Sequence, residues 1–400
     1  MRVVIGKSMA KGSLQAPPSK SMAHRLIISA SLAKGTSLIK GVELSEDVKA
    51  TLSCLKALGV EYVYDDGTVT VKGVGGIDPV DILNCRECGS TLRFFIPICL
   101  LSDREVTLTG SDRLMERPLG VYEELCREKG YCYTKTERGI TVRGRIQSGV
   151  YTVAGNVSSQ FISGLLFALP LTDGDSVIRL TGKVESRSYI DMTISALETF
   201  GVKVCWQDES TLFVKGGQAY KPADTTVEGD YSNAAFFSAL DLFGGHVELR
   251  GLKPDSLQGD KVYVEYFHGI KEGNPTLDIS DCPDLGPILM AVGAAFDGVT
   301  LTGSARLKIK ESDRGAAMAA ELSKLGAEVS VKENEIIVKG GISSPKEPLF
   351  GHNDHRVVMS LAVLLTLCGG EIEGAEAVSK SMPRFFEMIK ELGVECDIHE

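Results

Sequence analysis

The sequence predicts an α/β protein of two domains in which buried helices are wrapped by sheets. Three observations carry this expectation. One phrase recurs along the chain, its glycines keep a nearly constant spacing, and the segments between copies are apolar almost all the way round.

The phrase appears as LKALGVEYVYDDGTVTVKG (55–73), LCREKGYCYTKTERGITVRG (125–144), LETFGVKVCWQDESTLFVKG (197–216) and LSKLGAEVSVKENEIIVKG (322–340). Each copy reads as a helix end, a glycine, a strand, a polar turn and a second strand. The tail, IKELGVECDIHE, begins the phrase and stops. Gly59, Gly130, Gly201 and Gly326 stand where a helix C-terminus calls for positive φ. Alternating residues and a turn such as DDG or KENE then signal a hairpin. The first three of these glycines lie 71 residues apart at each step, and Gly393 follows Gly326 by 67. The interval from 201 to 326 leaves room for one degenerate copy near VEYFHGIKEG, which makes six units. A unit of this size cannot bury an apolar face alone. Three per domain gives two domains, in line with a prior of about 150 residues per domain for 400 residues.

Between the hairpins lie SMAHRLIISASLAKG, STLRFFIPICLLS, SSQFISGLLFALPL, YSNAAFFSALDLFGG, DLGPILMAVGAAFDG and DHRVVMSLAVLLTLCGG. They lack a polar face, the mark of a buried helix. Strand phrases follow them: SLIKGV, EVTLTGS, SVIRLTG, GVTLTGS and EIEGAE. The unit is therefore helix, strand, helix, strand, strand.

A net charge of −10 argues against binding the phosphate backbone of nucleic acid, for which no basic stripe is present. Ten cysteines are scattered without a dense framework, and the lone CxxC of Cys85 and Cys88 reads as structural, with no metal expected. MRVVIGKSMAKGS lacks the apolar core of a secretory signal. The most apolar stretch, from Val357, is shorter than the roughly 20 residues that span a bilayer. A reduced, soluble, cytoplasmic protein with no membrane partner is expected, most simply a monomer.

Buried helices ordinarily begin with plain caps, yet several here begin with charged or multiply polar groups. SKSMAHR offers Lys20, Ser21 and Arg25; CGSTLR offers Gly89, Ser90 and Arg93; NVSSQF offers Ser158, Ser159 and Gln160; VESRSY offers Ser186 and Tyr189. Later come Asp284 in DCPDLG, then Lys310, Glu311, Asp313 and Arg314 in KIKESDR, Asp354, His355 and Arg356 in HNDHR, and Lys380 in SKSMP. Any one of these reads as simple capping. Together they read as a cavity for a small polyanion, because helix N-termini favour anions and Arg or Lys adds charge-assisted bonds.

In this order and at these separations, PPSKSMAHR, NVSSQF, KESDR, NDHR and SKSMPRFF resemble the enolpyruvyl transferase family, in the branch that acts on shikimate 3-phosphate. The resemblance runs over the whole chain. It implies an inside-out α/β barrel fold: two globular domains, each of three βαβαββ repeats. The chain crosses near Leu14–Ala16 and near Thr226–Glu228, giving a discontinuous domain of 1–14 and 228–400, a second of 15–227, and an active site in the cleft between them.

The implied reaction joins shikimate 3-phosphate to phosphoenolpyruvate and releases phosphate, with no metal or cofactor. Phosphoenolpyruvate becomes electrophilic only when its methylene end is protonated, so the chemistry needs a general acid there and a general base at the 5-hydroxyl. Carried over residue by residue, Lys20, Ser21, Arg25, Ser158, Ser159, Gln160, Ser186, Tyr189, Asp284 and Lys310 hold shikimate 3-phosphate. Lys20, Gly89, Arg113, Gln160, Arg314, Arg356 and Lys380 surround phosphoenolpyruvate. Asp284 is the base, Glu311 the proton donor at the methylene, and Lys20 an acid toward the departing phosphate.

Two departures from the family pattern stand out. Glu87-Cys88-Gly89-Ser90 replaces Asn-Ala-Gly-Thr, and Arg306 stands where a small polar residue contacts the phosphate; it either strengthens that contact or points to solvent. Gly89 is kept, which implies inhibition by glyphosate. Three plainer expectations concern residues outside this set. His24 lies on the exposed side of its helix, His355 orients Arg356, and LRGLKPDSLQGDK is a solvated loop.

The rivals are three. A UDP-N-acetylglucosamine enolpyruvyl transferase would carry a cysteine within 103–120, where none occurs. A non-catalytic phosphosugar binder would not need both Asp284 and Glu311. An RNA-end cyclase would want a basic surface.

Overall fold

The recurring phrases fold as hairpins closing four-stranded sheets. The computed structural model describes residues 1–77 and 80–399, and the chain divides into two units, 1–17 with 229–400, and 18–228. The glycines after the helix ends have positive φ, from 73° at Gly130 to 93° at Gly326, as a left-handed terminus requires.

Residues 18–228 carry three such sheets. In one, Ile82–Asn84 runs parallel to Val106–Thr109, which pairs antiparallel with Gly139–Arg143, and Cys132–Thr136 forms the edge. Gly149–Ala154, Ser176–Thr181, Thr211–Val214 and Val204–Trp206 repeat that order. The third sheet borrows its first strand from the far end of the unit: Thr225–Thr226 lies parallel to Lys34–Lys40, followed by Thr68–Val74 and Glu61–Asp65.

Helices Lys20–Leu32, Gly89–Cys99 and Ser159–Ala168 are buried on nearly every side. Gly164 lets two of them approach closely, since a Cβ there would lie 2.6 Å from the Arg93 carbonyl oxygen and 2.3 Å from the Tyr122 hydroxyl. Tyr122 then ties the pair together, donating to the carbonyls of Arg93 (2.8 Å) and Phe161 (3.0 Å). Each fully buried Leu, Ile or Phe contributes about 1.5–3 kcal/mol.

In residues 1–17 and 229–400, Thr276–Asp278, Gly298–Thr302, Glu335–Lys339 and Glu328–Val331 make a sheet of the same order. The tail phrase that stops early is completed by the start of the chain. Arg2–Ile5 supplies the missing strand, antiparallel to both Cys396–His399 and Gly370–Glu373. The degenerate copy is real and incomplete. Lys11–Gln15 pairs in parallel with His246–Arg250, helix Tyr263–Glu272 follows, and no hairpin joins this pair among the described residues.

Helices Tyr231–Leu242, Gly286–Ala295 and His355–Cys368 form the core of this unit. The apolar stretch from Val357 lies in the last of these, and among the described residues no helix is long and apolar enough to cross a membrane.

Two sequence expectations are corrected. The LRGLKPDSLQGDK segment is not merely solvated, because Gln258 is buried. It accepts from Tyr231 N (2.9 Å) and donates to the Gly229 carbonyl (2.8 Å), satisfying backbone groups at the start of a core helix. His24 is not exposed either: it is 1% accessible. Helix Lys20–Leu32 is covered all round, so a hydrogen bond rather than solvent satisfies the ring.

Candidate active site

In residues 18–228 the polar helix starts form one connected patch. Ser19 caps helix Lys20–Leu32, accepting from Met22 N (3.3 Å). This leaves Lys20 in the first turn, where its Nζ binds Asp47 at 2.7 Å. One turn on, Arg25 is buried, with Nε donating to Thr193 Oγ1 (2.8 Å) and its terminal nitrogens to the carbonyls of Ser21 (2.6 Å) and Tyr189 (3.0 Å). Its guanidinium lies 5.4 Å from the Phe94 ring centroid and 5.9 Å from that of Tyr189. Burial brings its pKa down to about 10, so it remains a cation at neutral pH. Ser186 precedes helix Arg187–Thr199 with φ 56°, ψ 42°. A left-handed serine is strained, and such strain concentrates at functional sites.

The Gly89 and Ser158 helix starts are joined through Gln160. Its Oε1 accepts from Arg93 (2.7 Å), its Nε2 donates to Ser90 Oγ (2.8 Å) and its backbone N–H donates to the Ser158 cap (3.3 Å). Gly89 is pressed by cations, for a Cβ there would lie 2.6 Å from Arg117 NH1 and 3.0 Å from Arg93 NH1. The arginine at this glycine is therefore Arg117, and the expectation for Arg113 is corrected. Arg113 is two-fifths exposed and pairs with Glu116 at 3.4 Å, whereas Arg117 is buried. The two stand four apart on either side of a helix end: Asp112–Glu116 stops at Arg117, which extends and turns inward. An arginine next to proline, in ERP, was the signal available in the sequence.

In residues 1–17 and 229–400 the predicted acids and cations form a single ionic network. Asp284 accepts from Lys310 (3.0 Å), Arg314 (2.8 Å) and Arg356 (3.2 Å). Burial pushes its carboxyl up, but Arg356, Lys310 and Arg314 together hold it well below the usual carboxylate range. Arg314 also donates to Glu311 (2.7 Å) and, through Nε, to Asp354 (2.8 Å). Burial alone would lower the Arg314 pKa; the carboxylates of Asp354, Glu311 and Asp284 outweigh it and fix the cation. Lys310 is shifted down, by burial first, against the opposing pull of Asp284.

Asp354 caps helix His355–Cys368 through Arg356 N (2.9 Å) and accepts from Ser312 (3.1 Å). Lys380 donates to the Asn353 carbonyl at 2.7 Å. It reaches the same helix start through a turn in which His352 and Asn353 both have positive φ. Arg306 is buried and donates to the Ser280 carbonyl, so it does not point to solvent.

Each unit thus presents a cation-rich set of helix starts. One holds Lys20, Ser21, Arg25, Gly89, Ser158, Ser159, Gln160, Ser186 and Tyr189. The other holds Asp284, Lys310, Glu311, Arg314, Arg356 and Lys380. Such sets bind phosphates and carboxylates, and the second adds two carboxylates able to carry protons.

Comparison with known proteins agrees with this chemistry. The 3-phosphoshikimate 1-carboxyvinyltransferase of Clostridium kluyveri is 42% identical over 423 residues, covering 99% of this chain and 98% of that one. The protein of the same name in Clostridium acetobutylicum is 39% identical, covering all of this chain and 98% of its own. The EPSP synthase structure from Acinetobacter baumannii superposes with a TM-score of 0.81 over the full length of both chains, at 24% identity, and shares the fold. The family description EPSP synthase (3-phosphoshikimate 1-carboxyvinyltransferase) matches residues 4–389, and the chain belongs to that family.

Proposed function

We propose that the protein transfers the enolpyruvyl group of phosphoenolpyruvate to the 5-hydroxyl of shikimate 3-phosphate, a transferase step in aromatic amino-acid biosynthesis. The observation that carries the reading is Asp284 held ionised among Lys310, Arg314 and Arg356, with Glu311 on the same arginine. One unit of anion-binding cations and one acid–base pair are what this addition–elimination needs.

Ser21, Arg25, Ser158, Ser159, Gln160, Ser186, Tyr189 and Lys310 take shikimate 3-phosphate. Lys20, Gly89, Gln160, Arg314, Arg356 and Lys380 take phosphoenolpyruvate, with Arg117 in the place expected for Arg113. Glu311 delivers a proton to the methylene carbon, and the 5-hydroxyl oxygen bonds to the central carbon while its proton passes to Asp284. The tetrahedral adduct then returns a methyl proton to Glu311 and expels phosphate, restoring the double bond, with Lys20 supplying a proton to the departing phosphate. Asp284 is a weak base while three cations hold it. As Lys310 and Arg356 turn to substrate anions, its basicity rises at the moment the hydroxyl arrives.

The enzyme works as a cytoplasmic monomer, and glyphosate, anionic like phosphoenolpyruvate, competes at Gly89.

Phosphate release tests the assignment. Release with phosphoenolpyruvate plus shikimate 3-phosphate, and none with phosphoenolpyruvate plus UDP-N-acetylglucosamine, is expected. The reverse pattern, or binding without release, overturns it.

A further inference from the structure

We propose that His24, Asp47 and Cys88 bind one thiophilic divalent metal ion, of the Zn2+ or Cd2+ kind, beside Lys20. Three elements bring them together: His24 from helix Lys20–Leu32, Asp47 from helix Glu46–Ala57, and Cys88 as the cap of helix Gly89–Cys99. One ligand atom from each lies within 4.8 Å of the other two, and His24 Nε2 is 4.0 Å from Cys88 Sγ. In a tetrahedral zinc site, bonds of about 2.0–2.3 Å set ligand–ligand edges of roughly 3.4–3.6 Å. Side-chain movements of about 1 Å, without backbone change, complete that geometry.

The imidazole is already arranged as a ligand. Its Nδ1 meets Thr51 Oγ1 at 2.8 Å, and Thr51 in turn meets Thr91 Oγ1 at 2.7 Å. With the proton on Nδ1 and donated to Thr51, the Nε2 lone pair faces Cys88. This is the outer hydrogen bond that orients metal-binding histidines. A thiol, an imidazole and a carboxylate select a borderline-soft ion over Mg2+ or Ca2+.

Loading forms an Sγ–metal bond and releases the thiol proton to solvent. The metal itself displaces that proton on coordination. Asp47 is the shared partner, because its Oδ2 now binds Lys20 Nζ at 2.7 Å. Ion and ammonium compete for one carboxylate, and loading turns Lys20 away from its present position. Inhibition as a consequence rests on the role proposed above for Lys20; binding itself does not.

The test is titration of the full chain with Cd2+ alone at neutral pH, following thiolate-to-metal charge-transfer absorption. One equivalent with a single-thiolate band is expected. Binding should weaken by at least about tenfold in Cys88→Ser, which keeps a capping side chain, and in His24→Gln. Cys132→Ser, which alters an exposed cysteine, should leave it unchanged. Equal binding by the parent and Cys88→Ser, or no binding by the parent, overturns the site. Should the variants fail to fold, cadmium NMR of the parent decides: a shift of mixed one-sulphur, nitrogen and oxygen coordination supports it, and one of several sulphurs or oxygen alone refutes it. Turnover is read separately. Binding at these residues without loss of rate keeps the site and removes the assigned role of Lys20.

Discussion

Arg314 Nε donates to Asp354 Oδ2 across 2.8 Å, with both side chains buried. The same guanidinium reaches Asp284 and Glu311, so Asp354 anchors the cation that organises both proposed acid–base carboxylates. Removing Asp354 strips the buried Arg314 guanidinium of its fully buried counter-ion, at about 3–5 kcal/mol. Asp354→Ala also loses a helix cap. Urea unfolding of the full chain should show a loss of that size, and Asp354→Asn, which keeps the cap acceptor, a smaller one. A change below about 1 kcal/mol for the alanine variant would contradict the anchoring role.

Asp284→Asn keeps the shape of the site and abolishes its basicity. Turnover should fall by about 10²–10⁴, with much smaller changes in KM. The pH dependence has a definite sign. The native carboxyl titrates well below its unfolded value of 3.8, so its stabilisation is complete above 3.8 and is lost as pH falls through the native value. Acid unfolding of Asp284→Asn should therefore lack that component. Steady-state rates and acid titration check the two halves.

Much of this arrangement was legible because repetition is visible in the letters. The phrase ending in a glycine and a hairpin located four hairpins and the truncated tail. The borrowed strands were not legible: that Arg2–Ile5 fills the gap beside Cys396–His399 depends on pairing across the whole chain. Charge at helix starts pointed to the Asp284 and Arg314 network. It did not distinguish Arg113 from Arg117, because both sit in one short polar stretch and only the helix end at Arg117 decides which turns inward. His24 was misjudged for a related reason: a polar side chain on an all-buried helix is satisfied by Thr51, 27 residues on in the sequence and brought to it only by the fold.

His24 makes the fold acid-sensitive in a particular window. Burial, then Lys20 and Arg25, lower its pKa from 6.5 to about 3, so between those values the unfolded chain takes up a proton that the native one refuses. Its contribution is complete above pH 6.5 and falls away toward pH 3, on the order of 5 kcal/mol across the interval. His24→Gln, which keeps a partner for Thr51, should flatten the decline. Denaturant midpoints at neutral pH and at two points inside the window measure it. Parallel slopes for parent and variant would show that the ring protonates as readily folded as unfolded.

Gly89 and Arg117 make a coupled pair whose disturbance should be felt by phosphoenolpyruvate first. A methyl group at Gly89 would stand 2.6 Å from Arg117 NH1, too close for the guanidinium to stay. The guanidinium must then swing, and Arg93 NH1, at 3.0 Å, blocks one direction. Gly89→Ala should raise KM for phosphoenolpyruvate about tenfold or more, weaken glyphosate in parallel, and leave KM for shikimate 3-phosphate within about threefold. Arg117→Ala should do the same through lost charge. Arg113→Ala removes a partly exposed surface pair with Glu116 and should change rates and stability by no more than about 0.5 kcal/mol. Steady-state kinetics on the three variants separate the cases, and a larger phosphoenolpyruvate effect for Arg113→Ala than for Arg117→Ala would return the contact to Arg113.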